Sequence, residues 1–293
     1  MEEKFELYKI RTLGERFSAT SDFVRENWQV LLKNILPIGI PLTLLMGFFM
    51  QYYVQGVFAM VGNPTVFTPM NWMAYAGLMA VSIVFSLFIY AMPGALLNKY
   101  AEGSLTPETG WEDLKDTFFS IAGKLLLQYL IICLGCILLS VLILIPAILL
   151  ASGNFLVIMS VFFMLFTLVF IAVVVFLIPM FTLMRYPVFF EPVSVWESIK
   201  KAFQWGFRYW GSTFLSSLLG GLILVLVFYI LAMPYLIYLI FSMGTFGWIG
   251  YLLALLMYAA ILLMTPLLVI FLAFQYTSIA EREKSRNTPL VED

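Results

Sequence analysis

The chain has 293 residues, 62% of them hydrophobic and only 11% charged, where a soluble globular domain carries about 25% charged residues. A net charge of −1 gives no global attraction to nucleic acid, and the chain has no histidine. An ordinary soluble domain, a nucleic-acid-binding protein and a His-ligated metal centre are excluded on these grounds.

The 16 Lys and Arg residues fall in four blocks, Lys4 to Lys33, Lys99 to Lys124, Arg185 to Arg208 and Arg282 to Arg286, with the acids in or beside them. Residues 34–98, 125–184 and 209–280 carry no charge. Each stretch is long enough for two crossings of a hydrocarbon layer, at about 20 residues per helix. The apolar runs are continuous and lack the alternation of barrel strands, and backbone in lipid must be paired internally, so the spans are helices. The expected fold is all-α: a polytopic membrane protein with six transmembrane helices in three hairpins, each preceded by a cytoplasmic amphipathic helix.

In chain order, residues 1–33 form a cytoplasmic N-terminal segment whose run from Phe23 to Lys33, around Trp28, is amphipathic. Its charges leave no signal-peptide pattern. The membrane domain covers 34–280. Its first hairpin, 35–97, has spans at 35–58 and 72–97 joined near Gly62-Asn63-Pro64. An interfacial helix at 111–123 places Trp111, Leu114, Phe118 and Ile121 on one face. The second hairpin, 125–184, has spans at 125–149 and 155–184 with a turn at Gly153-Asn154. A second interfacial helix, 194–210, sets Trp196, Ile199, Phe203, Phe207 and Trp210 against Glu197, Lys200, Lys201, Gln204 and Arg208. The third hairpin, 211–276, has spans at 211–241 and 248–276, and 281–293 is a cytoplasmic tail. With every Lys and Arg on one face, the positive-inside rule puts both termini in the cytoplasm.

The chain repeats. Pro107 to Phe118 aligns with Pro192 to Phe203 at an offset of 85, and five of the twelve positions are identical: the Pro, Trp, Glu, Lys and Phe. Pro93, Pro179 and Pro266 place one proline near the same end of each even-numbered span, where each is a candidate kink. All three units start and end on one side, so the repeats are parallel, unlike the inverted repeats of many secondary transporters.

No charge falls within a predicted span, and intramembrane charge is the usual mark of an ion pathway. Cys133 and Cys136 form either a redox pair at i, i+3 or small packing residues beside Gly135 and Ser140. Ser212, Ser216 and Gly220, with Thr213, Ser217 and Gly221 alongside, make ladders of small residues that either pack helices closely or line a cavity. Arg25, Lys33, Lys200, Lys201 and Arg208 are candidates for phospholipid headgroups, at about 1 kcal/mol per cation near an anionic surface.

The opening Leu13-Gly14-Glu15-Arg16-Phe17, continuing through Phe23, Arg25, Asn27 and Trp28 to Lys33 and Pro37, resembles that of uncharacterised bacterial six-span integral membrane proteins. These are similar to the membrane domain fused to some glycerophosphoryl diester phosphodiesterases. Ala202 to Trp210 resembles the same element again. The resemblance implies a membrane module connected with lipids, and no phosphodiesterase catalytic domain follows the last span.

These readings lead to a non-enzymatic membrane protein that binds, senses or organises lipid or a hydrophobic ligand at the cytoplasmic leaflet. Membrane lipids are the expected partners, and no cofactor or metal is expected. The alternatives are a permease or exporter of an apolar or neutral solute, and a membrane scaffold or assembly partner.

Overall fold

The computed structural model describes residues 6–62, 68–151, 156–242 and 247–287. The expected turns at Asn63-Pro64, Gly153-Asn154 and Gly244 lie outside them. Six helices are long and apolar enough to cross a membrane: α1 (Leu13–Gly62), α2 (Pro69–Ala101), α3 (Trp111–Ala151), α4 (Leu156–Leu183), α7 (Trp210–Ser242) and α8 (Trp248–Asn287). Two short helices, α5 (Tyr186–Phe190) and α6 (Val195–Arg208), lie between α4 and α7.

The helix starts follow from local chemistry. At α1 the Thr12 amide donates to Glu15 Oε2 at 2.6 Å, and the Glu15 amide donates back to Thr12 Oγ1 at 3.4 Å. At α3 the Gly110 amide donates to Asp113 Oδ2 at 2.8 Å. At α6 the Ser194 amide donates to Glu197 Oε2 at 2.8 Å and the Glu197 amide to Ser194 Oγ at 3.2 Å. In each case a carboxylate three residues into the helix satisfies an orphan amide and sits at the positive end of the helix dipole. Pro69 occupies the first turn of α2, where its missing N–H costs nothing. That helix stops at Gly103, whose φ of 70° turns the chain into the left-handed region.

The chain packs as two compact units, one comprising residues up to Ala122 and from Leu218 onward, the other Gly123–Ser217. The boundaries fall inside α3 and α7.

In the first unit α1 packs against α2 and α8, and α2 against α8. The core lies around the charge-bearing end of α8, where every residue from Val269 to Ile279 is buried. Phe23, with no exposed surface, sits edge-on to Tyr100 at 4.9 Å and to Phe274 at 6.3 Å. Gly39 faces Leu262, so from Gly39 back to Phe23 the partner on α8 advances to Phe274, as antiparallel helices require. Further back the advance stops: Phe17 stacks on Phe271 at 4.4 Å, and Arg11 lies over the Phe274 ring. The start of α1 therefore lies across α8. Pro37 and Pro41 remove two of the helical hydrogen bonds that would keep α1 straight.

The expected 111–123 element is the first part of an unbroken α3, because nothing after Lys124 interrupts the helical bonds. The 194–210 element is a separate helix, ended by Tyr209 with its amide on Trp205 O. Trp210 opens α7 instead of closing α6; it stacks on Phe214 at 4.7 Å and donates through Nε1 to Phe176 O at 2.9 Å.

Candidate functional site

The residues that hold α6 are small. Ser198, Ala202 and Gly206, four residues apart, are its buried positions, and the helix packs on α4 and α5. A Cβ at Gly206 would lie 3.1 Å from Met180 Cα and 3.2 Å from Met180 N, so backbone approaches backbone there. Ser198 Oγ donates to Met184 O at 2.5 Å. Gln128 Nε2, on the fully buried Gln128 of α3, donates to the same carbonyl at 2.9 Å and lies 3.2 Å from Ser198 Oγ. Lys124 Nζ donates to Val193 O at 3.0 Å, just ahead of the helix.

With a small-residue stripe inward, the large side chains face out. Trp196 is 72% exposed and Phe207 52%, and Lys200, Gln204 and Arg208 are exposed beside them. Trp196, Lys200, Gln204 and Arg208 succeed one another at four-residue spacing, with Phe203 and Phe207 flanking Lys200. The exposed arc thus runs from Trp196 and Phe207 to Lys200, Gln204 and Arg208. Trp196 and Lys200 are neighbours on one outward arc, because i, i+4 residues share a face.

The headgroup candidates divide. Lys201 is engaged within the unit: its Nζ is 2.6 Å from Glu191 Oε2 and 4.3 Å over the Trp205 ring. Lys200 and Arg208 point outward. In the first unit Arg25 pairs with Asp22 at 3.3 Å, and Lys33 Nζ donates to Glu108 O at 2.9 Å. Glu197 is held below the usual carboxylate range by the backbone and side-chain hydrogen bonds from Ser194.

The small ladder on α7 packs. Thr213 and Ser216 are fully buried, Ser216 Oγ donates to Ser212 O at 2.8 Å, and Ser217 Oγ lies 2.8 Å from Thr213 O and 3.1 Å from Thr182 Oγ1. Gly220 is buried under Leu268 and Phe271. Pro93, Pro179 and Pro266 are all buried inside continuous helices. Cys133 and Cys136 are exposed and not joined in a disulfide, and nothing lies within 4 Å of a Cβ placed at Gly135; the side chain of Ser140 lies outside the described ones. Among the described residues no three Cys, Asp or Glu side chains converge to hold a metal.

Sequence reasoning missed the neutral amides and the buried arginines. Gln51, Gln128 and Gln275, one in each charge-free stretch, are fully buried. Tyr235 OH donates to Gln51 Oε1 at 3.1 Å, the kind of bond that joins helices in lipid. A scan for amides, as well as charges, within apolar runs would have found them. Arg11 and Arg16 are buried as well. Arg11 donates its amide to Ser278 Oγ at 3.0 Å, and Arg16 donates to Arg11 O at 3.0 Å. The Thr12-x-x-Glu15 cap was their available signal.

No protein-family model matches this chain, and neither a curated protein nor a solved structure matches it.

Proposed function

We propose that this is a non-enzymatic integral protein of the bacterial cytoplasmic membrane, with both termini cytoplasmic, that binds and organises anionic lipid at the cytoplasmic leaflet. In this reading the six long helices form three hairpins, α6 lies in the interface, and its outward arc meets headgroups. The observation that carries it is the arc itself. A helix that uses Ser198, Ala202 and Gly206 for packing and leaves Trp196 and Phe207 exposed beside Lys200 and Arg208 has the composition of an interfacial anchor. Tryptophan suits the headgroup level, and the cations suit phosphate. The resemblance to the membrane domain fused to glycerophosphoryl diester phosphodiesterases supports the same lipid setting.

The test is lipid retention. The full chain, reconstituted in phosphatidylcholine vesicles with and without phosphatidylglycerol and then extracted, should retain phosphatidylglycerol above its bulk share. Replacing Lys200 and Arg208 together by Gln should cut that enrichment by about thirtyfold, at ~1 kcal/mol per cation. Retention that tracks bulk composition, unchanged by the double substitution, contradicts the proposal.

A further inference from the structure

A second feature, within the first unit, has no part in the α6 arc. A groove of about 210 Å³ is lined by Phe17 and Thr20 of α1, Gly220 and Ile223 of α7, and Leu268 and Phe271 of α8. Its surface is almost wholly apolar, and Pro266 lies in the adjoining turn of α8. Around it Leu222, Leu226 and Leu263 are exposed on helices long enough to cross a membrane, so the groove opens sideways into lipid. Because the start of α1 lies across α8, Phe17 and Thr20 close its charge-bearing end.

Gly220 makes the space. A Cβ there would come within 2.5 Å of Leu268 Cδ1 and 3.3 Å of Phe271 Cδ1. Two arginines lie beyond the lining at the closed end: Arg16 is buried, with Nη2 donating to Arg11 O at 3.0 Å, and Arg282 is half-buried. Arg16 precedes Phe17 and shares a face with Thr20 four residues on. Arg282 lies three helical turns beyond Phe271 on the same face of α8. They are near enough to affect one another: burial first, then the like charge of Arg282, pushes the Arg16 guanidinium down to about 10.

We propose that this groove holds one acyl chain of an anionic phospholipid, with the headgroup phosphate at Arg16 and Arg282. Its lateral opening makes lipid the molecule that reaches it first. A chain gains nothing from leaving water when it is already in the bilayer, so retention comes from packing against the groove and from headgroup charge. The site shares the membrane setting and the anionic-lipid class with the proposed role of α6 but none of its residues, and either stands without the other.

The experiment uses the full chain in phosphatidylcholine vesicles carrying traces of phosphatidylglycerol or phosphatidylcholine with a photoreactive diazirine in one acyl chain, with peptide mapping of the adducts. The phosphatidylglycerol probe should label Ile223, Leu224, Leu268 and Phe271 above the open lipid-facing positions. Ile223→Trp and Thr20→Phe, which fill the groove from different helices, should each abolish that labelling. Arg282→Gln should reduce labelling by phosphatidylglycerol about fivefold and leave that by phosphatidylcholine unchanged. The Lys200/Arg208 double variant should leave the groove labelled, which separates this site from α6. Labelling spread evenly over Leu222, Leu226 and Leu263, or labelling untouched by both groove-filling variants, overturns the proposal. So does crosslinking of the groove to a second copy of the chain.

Discussion

Lys124 repeats the contact made by Lys33: the first ammonium donates to Val193 O at 3.0 Å, the second to Glu108 O at 2.9 Å. The two acceptors stand 85 residues apart, the offset of the repeat, and each lies just ahead of a capped helix start. The repetition in the sequence is thus a repetition of bonding. Replacing Lys124 by Met keeps the aliphatic stem and removes the donor. It should destabilise the second unit by about 1 kcal/mol, and Lys33→Met, at a more exposed position, should cost less. Thermal unfolding in detergent checks the order; equal, negligible effects would mean that neither contact persists in solution.

Gly206 should tolerate no side chain. Alanine there meets Met180 Cγ at 2.9 Å and Met180 backbone atoms at 3.1 and 3.2 Å. The strain should outweigh the helix-propensity gain and destabilise by about 1–3 kcal/mol. Gly123→Ala, with nothing within 4 Å of the new Cβ, should instead be neutral or stabilise by about 0.5–1 kcal/mol. Paired unfolding curves read the contrast.

Glu15 and Glu197 should make the starts of α1 and α6 acid-sensitive. Hydrogen bonds from Thr12 and Ser194 lower both carboxyls from the ordinary 4.5. A group with a depressed folded pKa contributes stability that is complete above the unfolded value and lost as pH falls through the folded one. The protection of the first-turn amides against hydrogen exchange, relative to the intrinsic rate at each pH, should therefore be lost as pH falls below 4.5. Gln at either position keeps an acceptor and should abolish the pH dependence there, whereas Ala should leave exchange fast at every pH.

Cys133 and Cys136 face outward from α3, about 13 and 18 Å beyond Lys124 at 1.5 Å per residue. A lipid-soluble maleimide should modify both in intact membranes, and a charged, impermeant one should modify neither. A disulfide recovered from freshly lysed cells would revive the redox reading.

Much of this was legible in the sequence because charge and apolar length are one-dimensional signals. Lys99, Arg185, Arg208 and Arg282 fall within about five residues of helix ends, whereas Lys33 and Lys124 lie well inside α1 and α3, whose charged runs continue unbroken into the apolar ones. The division between α6 and the undivided α3 was less legible: both segments carry the Trp-Glu signature and differ only in the residues beyond it. After Trp111 the helix runs on through Lys124, whereas Tyr209 interrupts the chain after Trp196. The burial of Ser198, Ala202 and Gly206 escaped notice because large aromatics dominate a helical wheel, while close packing selects small residues. The acyl groove was invisible, since Phe17, Gly220 and Phe271 meet only through the bend of α1 across α8.

The central claim is that all ionised side chains lie at one membrane face. Its most direct measurement is accessibility of single cysteines, introduced in a chain lacking Cys133 and Cys136, at Asn63, Gly153 and Thr245 and, for the opposite face, at Glu102 and Ser285. In intact cells an impermeant thiol reagent should label the first three and spare the last two. Protection of any one of the first three, or labelling of Glu102 or Ser285 from outside, would contradict the account.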